Sequence, residues 1–252
     1  MFINSPLEQF EINTYISTTS SIADFSWTST TNFGVYTIIV FSIIIGTHTT
    51  SIGNNGIIPT KWSMGIESTY STTQNMVYSQ IGISGQQYFP TIYVIFVFIT
   101  ISNTFSMIPY NFATMSHTVF TVSTSSITWT GVTITGFYNF KTEYFGTFVP
   151  AGTTTPTVPV TVIIETTSYT ARSVSTGTRT GSNITAGHTT TVITGGTIFD
   201  FMSSGIIFFI VGFTPTGTVT GIMCTEFAIG TIQAYVFSIT ACSYIKEAIY
   251  TH

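Results

Sequence analysis

The sequence predicts an all-α integral membrane protein, and three observations lead to that prediction. Only 6% of the 252 residues are Asp, Glu, Lys or Arg, against about 25% in soluble domains, so the chain lacks the charge for a water-facing surface. Residues 68–140, 180–199, 201–225 and 227–245 contain none of these four residue types, and each stretch reaches the roughly 20 residues that a membrane helix needs. Aromatic side chains are abundant, with 22 Phe and 13 Tyr.

The small net charge of -4 argues against a nucleic-acid-binding protein. Such proteins hold phosphates with clustered Lys and Arg, and this chain has no basic patch. Cys224 and Cys242 both fall in apolar stretches, where we expect them to be small buried hydrophobes rather than metal ligands. We therefore expect no nucleic acid, metal or cofactor.

Threonine occupies the positions where a membrane helix normally carries leucine. The chain has 52 threonines and one leucine, Leu7, although leucine is among the commonest residues and favours membrane helices. Burying one leucine is worth about 1.5–3 kcal/mol, so losing ten would exceed the ~5–15 kcal/mol net stability of a typical fold. We hypothesise that many of these threonines are leucines in the cell. Some mitochondrial genetic codes read one leucine codon family as threonine, and decoding the gene with the wrong code would give this pattern.

Prolines and small polar clusters divide the chain into candidate elements. A polar N-terminal segment runs to about residue 33, and residues 47–60 form a turn region rich in Gly and Asn. Residues 61–85 mix charged and apolar side chains, which is typical of an amphipathic helix at the membrane interface. The first span and the further membrane helices are predicted at 35–46, 88–109 and 115–139.

The last hundred residues contain two long apolar stretches, at about 156–198 and 204–250. A helix of about 40 residues is ~60 Å long, twice the ~30 Å hydrocarbon core. Each stretch therefore contains a hidden turn or forms one strongly tilted helix, and Asp200 suits the polar tip between them. We divide the chain into a polar segment, membrane helices and a tilted helical hairpin, at 1–33, 34–150 and 151–252.

Five charged or histidine residues lie away from the ends of the two long stretches, and such groups at membrane depth are costly and generally functional. They are Glu165, Arg172, Arg179, His188 and Glu226. The first three are seven residues apart, close to two helical turns, so they share one helix face. Asn183 lies one turn beyond Arg179, and Gln233 lies seven residues beyond Glu226. Two such stripes predict a polar seam between the helices.

Spacing alone leaves two interpretations of these charges open. In the first, Glu165 pairs with Arg172 and Glu226 with His188, and the pairs are structural. In the second, Arg179 has no carboxylate of its own in this chain and pairs with one on another subunit. A guanidinium stays charged at any useful pH, so Arg179 requires a partner.

Small residues repeat every four positions beside Arg179, at Ser173, Gly177 and Gly181. Such a row lets another helix approach closely. The spacing fits packing within the chain as well as packing against a partner, and we expect the row to face the helices of a partner ring.

Several segments of the chain resemble one family, mitochondrial ATP synthase subunit a of fungi. STGTRTGSNITAGH (175–188) differs from a hallmark of that family only by Thr in place of Leu. IIETTSYTAR (163–172), EFAIGTIQAYV (226–236) and SPLEQFEI (5–12) are also similar to it, and the resemblance covers nearly the whole chain. Thr154 and Thr191 depart from it, because the family often has Pro and Met there.

The resemblance implies the stator of a rotary motor. Arg179 would face the ring of c subunits and favour the charged form of each passing carboxylate, as a nearby cation does. It would also block direct leakage between two aqueous half-channels. His188 and Glu226 would relay protons in the channel from the intermembrane space, with Glu247 nearer its mouth, and Glu165 would lie at the matrix-side exit.

The resemblance also implies supporting roles near Arg179 for Asn183, Gln233 and Arg172. It implies a leader of about residues 1–4 and a multi-pass protein of the mitochondrial inner membrane, with the two long helices forming a hairpin against the c-ring. The partners would be the c-ring, other stator and peripheral-stalk subunits, and lipid. Protons would be the transported ion, and we expect no ATP chemistry in this chain.

Two other classes of protein compete with this interpretation. Another membrane channel or transporter would use the same polar seam, but only Pro215 hints at the broken helices that such proteins need. It would also conduct without the ring. If the threonines are genuine, their β-branched side chains favour strands, and the chain would be a Thr-rich extracellular adhesin. The long charge-free apolar runs and the position of Arg179 argue against that class.

Peptide mass spectrometry of the purified protein across residues 160–195 tests the leucine hypothesis. Leucine is heavier than threonine, and we expect leucine masses at many positions that the sequence gives as threonine. Threonine masses throughout would contradict the hypothesis and would mean that the membrane helices carry these hydroxyl groups.

Overall fold

The computed structural model describes residues 5–17, 29–52, 59–108, 111–149, 152–205 and 211–250. The α-helices within these ranges are α1 (Asn32–Ile52), α2 (Lys61–Ile81), α3 (Phe89–Ser106), α4 (Thr118–Phe140), α5 (Val158–Ser203) and α6 (Phe213–Ile249). Short 3₁₀ turns occur at Glu8–Phe10, Ile83–Tyr88, Thr114–Ser116, Lys141–Phe148 and Thr155–Thr157.

An antiparallel two-stranded ribbon precedes α1, which the all-α prediction did not include. β1 (Thr14–Ser17) pairs with β2 (Ser29–Thr31). Their β-branched residues suit extended backbone, and the ribbon leads directly into Asn32 at the start of α1. The predicted leader at residues 1–4 lies outside the described residues.

Local signals explain where several helices begin and end. Pro90, Pro159 and Pro215 occupy one of the first three positions of α3, α5 and α6, where the fixed φ of proline suits a helix and its missing N–H removes no bond. The Thr60 side chain caps α2 by accepting the Ser63 N–H at 3.3 Å, and Gly82 ends α2 with φ 87°.

Three helical segments of the described chain are long and apolar enough to cross a membrane. They are Asn32–Ser51, Ile83–Ser106 and Phe213–Ile249, and they confirm the prediction of an all-α membrane protein. α4 and α5 are also long, but both are rich in threonine and serine, which lowers their hydropathy. α2 buries one stripe, namely Thr73, Met76, Val77 and Ile81, which is the pattern of an amphipathic helix.

Each of the two C-terminal stretches forms one continuous helix, of 46 residues in α5 and 37 in α6. The alternative of a hidden turn is therefore wrong, and at 1.5 Å per residue the helices are about 69 and 56 Å long. Asp200 lies inside the last turns of α5 rather than at the tip, and its carbonyl accepts the hydroxyls of Ser203 and Ser204. Residues 206–210, between the helices, lie outside the described residues.

Threonine hydroxyls along the helices bond to the backbone of their own helix. In α5, Thr166, Thr178 and Thr190 each donate to the carbonyl four residues earlier, at 2.8, 2.8 and 2.7 Å. This back-bonding satisfies the hydroxyl without a second helix. It does not restore the apolar area that leucine would bury, so the leucine hypothesis stays a prediction.

The chain groups into two compact units, each built from three stretches of sequence. Unit 1 comprises residues 1–55, 98–117 and 182–232, and unit 2 comprises residues 56–97, 118–181 and 233–252. In unit 1 the aromatic rings of α1 pack on the stretch after α3, as Phe33 and Tyr36 do on Phe112. In unit 2 an apolar core joins α2, α3, α4, α5 and α6.

The two cysteines have different surroundings. Cys242 is buried in the core of unit 2, as predicted, whereas Cys224 is exposed. The prediction of burial is therefore wrong for Cys224, because that position of α6 lies on the surface of unit 1.

The row of small residues on α5 packs against α4 within unit 2. A Cβ atom on Gly177 would lie 2.6 Å from Val122 Cα, and one on Gly181 would lie 2.9 Å from a side-chain atom of α4. Ser125 Oγ donates to the Ser173 carbonyl at 2.7 Å. The prediction that this row faces the ring is therefore wrong, because the chain's own helix α4 occupies it.

Gly177→Ala is expected to force α4 and α5 apart, because the added methyl would meet backbone rather than a flexible side chain. Overpacking of this kind costs about 1–3 kcal/mol. Thermal unfolding of the protein in detergent measures the effect. Gly195→Ala in the same helix is the matched control, since nothing lies within 4 Å of its added Cβ. Equal stability of the two variants would contradict the packing assigned to Gly177.

Candidate functional site

Arg179 lies on the exposed side of α5. The ion pairs formed within the described residues both belong to Arg172, so no carboxylate of the described chain lies within 4.0 Å of the Arg179 guanidinium. Ser175 and Ser182, one turn to either side of it along α5, are also exposed. This side of α5 therefore presents a cation among short side chains.

Unit 1 contains a polar cavity of about 560 Å³ that holds two of the predicted proton-path residues, His188 and Glu226. The cavity is lined by α1, the end of α3, α5, α6 and the N-terminal segment. It is large enough for several water molecules, each of which takes about 30 Å³ in the liquid. Water and ionisable side chains within one cavity are what proton transfer requires.

Glu226 and His188 line this cavity without a direct hydrogen bond to each other. Glu226 Oε1 accepts the Thr191 hydroxyl at 2.8 Å, and His188 Nε2 lies 3.4 Å from Ser106 Oγ. The interpretation in which Glu226 and His188 form a private structural pair is therefore not supported in the described part of the chain. Both groups keep capacity for further hydrogen bonds.

Gly187 makes room for the Glu226 carboxyl group. A Cβ atom at Gly187 would lie 2.9 Å from Glu226 Cδ and 3.0 Å from Oε1. Sequence reasoning missed Gly187 because a glycine one position before His188 carries no chemistry of its own. It also passed over Thr191, which it noted only as a departure from the family pattern.

Unit 2 contains the other predicted charges, as a network of one cation and two carboxylates. Arg172 Nη1 donates to Glu247 Oε1 at 3.3 Å, and Nη2 lies 3.8 Å from Glu165 Oε1. All three side chains are 38–49% exposed, so solvent weakens the pairs. The predicted pairing of Glu165 with Arg172 is present, and Glu247 joins it.

The position of Glu247 corrects one expectation. Glu247 was expected nearer the mouth of the path that contains His188 and Glu226, but it shares a cavity with Glu165 in unit 2. The physical reason is apolar packing, because Ile245 and Ala248 bury this end of α6 in the core of unit 2, where Arg172 contacts both carboxylates. The cavity measures about 740 Å³, and Tyr144, Tyr169, Lys246 and Tyr250 are among its other lining residues.

The two predicted supporting amides differ in burial. Gln233 is 5% exposed in unit 2, and its Nε2 donates to Thr180 Oγ1, next to Arg179 in sequence, at 3.3 Å. Asn183 is exposed on α5. That they orient Arg179 stays a prediction.

His117, in the loop before α4, packs against aromatic rings. Its ring stacks on Phe112 at 5.2 Å and meets the edge of Phe33 at 5.6 Å. Burial lowers the pKa of His117 below its usual value, because the charged form loses hydration. Its position in an aromatic contact therefore favours a structural role. Among the described residues no three His, Cys, Asp or Glu side chains cluster as metal ligands would.

Comparison with known proteins decides the family. A family model described as "ATP synthase A chain" matches residues 33–246. The chain belongs to that family. It is similar to the ATP synthase subunit a of Saccharomyces cerevisiae, with 47% identity over the whole of this chain and 97% of the relative. It is also similar to those of Eremothecium gossypii and Kluyveromyces lactis, each 46% identical over all of this chain and 96% and 99% of the relative.

Membership of the ATP synthase A chain family assigns the chain to the membrane motor of a rotary ATP synthase, as a proton-conducting stator subunit. The competing class, another membrane channel or transporter, is not favoured. The Thr-rich β adhesin is excluded by the helical fold.

Gly187→Ala is expected to slow proton flux through the assembled complex, because the added methyl would displace the Glu226 carboxyl group. Displacing a reacting group by about 1 Å costs up to roughly 100-fold in rate, so we expect a 10- to 100-fold loss. Proton flux into membrane vesicles containing the complex measures it. Gly195→Ala should conduct normally, and normal conduction by Gly187→Ala would contradict the packing of Gly187 on Glu226.

Proposed function

We propose that the cavity of unit 1 and the cavity of unit 2 are the two aqueous half-channels of the motor, and that the charge of Arg179 prevents direct proton transfer from one to the other. Along α5 the chain order is Glu165, Arg172 and Arg179 in unit 2, then His188 in unit 1. The observation that carries the proposal is the exposed guanidinium of Arg179, which has no carboxylate partner in the described chain.

The proposed partner of Arg179 is a carboxylate on the rotating c-ring. An opposite charge nearby favours the ionised form of a carboxyl group, so each ring carboxylate releases its proton as it reaches Arg179. A guanidinium does not release its own proton, so it also blocks proton transfer straight from one half-channel to the other. Every proton must then travel with the ring.

In this proposal His188 and Glu226 deliver protons from the intermembrane space to the ring. Both line the unit 1 cavity, and their separate hydrogen bonds to Ser106 and Thr191 leave room for water to connect them. Water-mediated hydrogen bonds are nearly as favourable as direct ones.

Glu165 and Glu247 receive protons on the matrix side in this proposal. The two carboxylates share the Arg172 cation and are 38% and 49% exposed, so water can reach both and carry protons to and from them. The assignment of Glu247 to this side follows from its contact with Arg172.

The proposed location is the mitochondrial inner membrane, with several helices crossing it. The lengths of α5 and α6, about 69 and 56 Å, exceed the ~30 Å hydrocarbon core, so both helices tilt strongly and form a hairpin along the ring. α2 lies at the interface, because its buried stripe occupies one face only. Other stator and peripheral-stalk subunits cover further surfaces of the chain.

Arg179→Ala is expected to abolish proton-driven ATP synthesis while the soluble head keeps its ATP hydrolysis, because the ring carboxylates lose their counter-charge. ATP synthesis and hydrolysis in isolated mitochondrial membranes measure the two activities. Lys61→Ala, which removes an exposed cation at the start of α2, is the matched control and should synthesise ATP normally. Coupled synthesis by Arg179→Ala would refute the role of Arg179.

Glu226→Gln tests the uptake path separately. The amide cannot take up or release a proton, and loss of a general acid–base group typically costs about 10²–10⁴ in rate. We expect proton flux to fall by a comparable factor with the complex still assembled. Unchanged flux in this variant would remove Glu226 from the path and leave the role of Arg179 untouched.

A further inference from the structure

The N-terminal segment, residues 5–13, has no role in the mechanism above, yet it lies at the same cavity as His188 and Glu226. Glu8, Gln9, Glu11 and Asn13 line that cavity in unit 1. The segment is polar and precedes every membrane helix, so sequence reasoning gave it no function. The segment therefore lies where it can affect proton uptake through His188 and Glu226.

Phe10 brings the segment into direct contact with His188. The two rings lie 6.4 Å apart between centroids, with an interplanar angle of 85°. This edge-to-face arrangement is a favourable geometry for aromatic rings. Together with the Ser106 hydroxyl near His188 Nε2, the Phe10 ring restricts the orientations that the imidazole can adopt.

The segment is fixed in place by hydrogen bonds rather than by apolar burial. Asn32, at the start of α1, donates from Nδ2 to the Glu11 carbonyl at 2.9 Å and accepts the Asn13 N–H at 3.2 Å through Oδ1. A 3₁₀ turn orders the residues around Phe10, whose N–H donates to the Leu7 carbonyl at 3.0 Å. Asn32 is 7% exposed, so water competes little for these bonds.

We propose that residues 5–13 form a fixed wall of the proton-uptake cavity, and that Phe10 is a positioning residue for His188. This inference rests on the proposed function, in which His188 relays protons. Without the wall, the His188 side of the cavity would open to bulk water, and the imidazole would lose one of the two contacts that orient it.

The wall also determines which charges a proton meets in the cavity. The titratable side chains that line it are Glu8, Glu11, Tyr15, Tyr36, His188 and Glu226. No Lys or Arg of the described residues is among them. Protons therefore approach His188 past carboxylates that the wall itself supplies.

The test uses the whole ATP synthase in membrane vesicles and compares three variants of the wall. Phe10→Ala removes the ring, Phe10→Tyr keeps it, and Leu7→Ala truncates an exposed apolar side chain of the same segment that does not line the cavity. Two quantities are measured, the proton flux and the rate at which diethyl pyrocarbonate modifies His188. The modification is read by peptide mass spectrometry.

We expect Phe10→Ala to lower the flux several-fold and to raise the modification rate of His188 several-fold. Phe10→Tyr and Leu7→Ala should match the unaltered protein in both quantities. Asn32→Ala, which removes the hydrogen bonds that hold the segment and leaves Phe10 and His188 in the sequence, should reproduce both effects of Phe10→Ala. A merely structural role of Phe10 would change the amount of complex without exposing His188.

The possible failures are distinguishable through His188→Gln. If His188→Gln lowers the flux but Phe10→Ala changes neither quantity, the wall is refuted and the proposed function stands. If His188→Gln leaves the flux unchanged, the relay role of His188 fails, and the positioning role of Phe10 fails with it.

Discussion

A permanent positive charge at Arg179, on the exposed side of the long helix α5, is the constraint on which the proposed mechanism depends. A charged side chain at membrane depth costs from about 2.5 kcal/mol to more than 10 kcal/mol, and a guanidinium cannot avoid that cost by losing its proton. Arg172 meets the same constraint within the chain by pairing with Glu165 and Glu247. Arg179 has no such pair in the described residues, and the proposed ring carboxylate would supply one.

Packing decides which side of α5 remains open to that partner. Gly177 and Gly181 bring α4 so close that an added methyl would collide with it, and Ser173 is 3% exposed. Ser175 and Ser182, on the other side, stay exposed. Arg179 lies two residues from each of the two glycines, and at about 100° per residue this places it on the opposite side of α5 from α4.

Much of the site could be predicted from the sequence, because isolated charges in apolar helices are few and their spacing fixes their face. Other features depend on tertiary packing, which spacing does not encode. The seven-residue period could not show whether α4 or a partner occupies the glycine row. Nor could it place Glu247, whose contact with Arg172 follows from the packing of the end of α6 in the core of unit 2. Phe10 and Gly187 were missed because an aromatic and a glycine carry no chemistry until their neighbours are known.

Cysteine cross-linking between this chain and the ring tests the central claim most directly. Ser175→Cys and Ser182→Cys place thiols on the open side of α5, and Ser173→Cys places one on the side packed against α4, with the same small change in size. The partner cysteine is introduced beside the membrane carboxylate of the c subunit. The account predicts disulfides from the first two positions and none from Ser173. Cross-linking from Ser173 alone would show that the opposite side of α5 faces the ring.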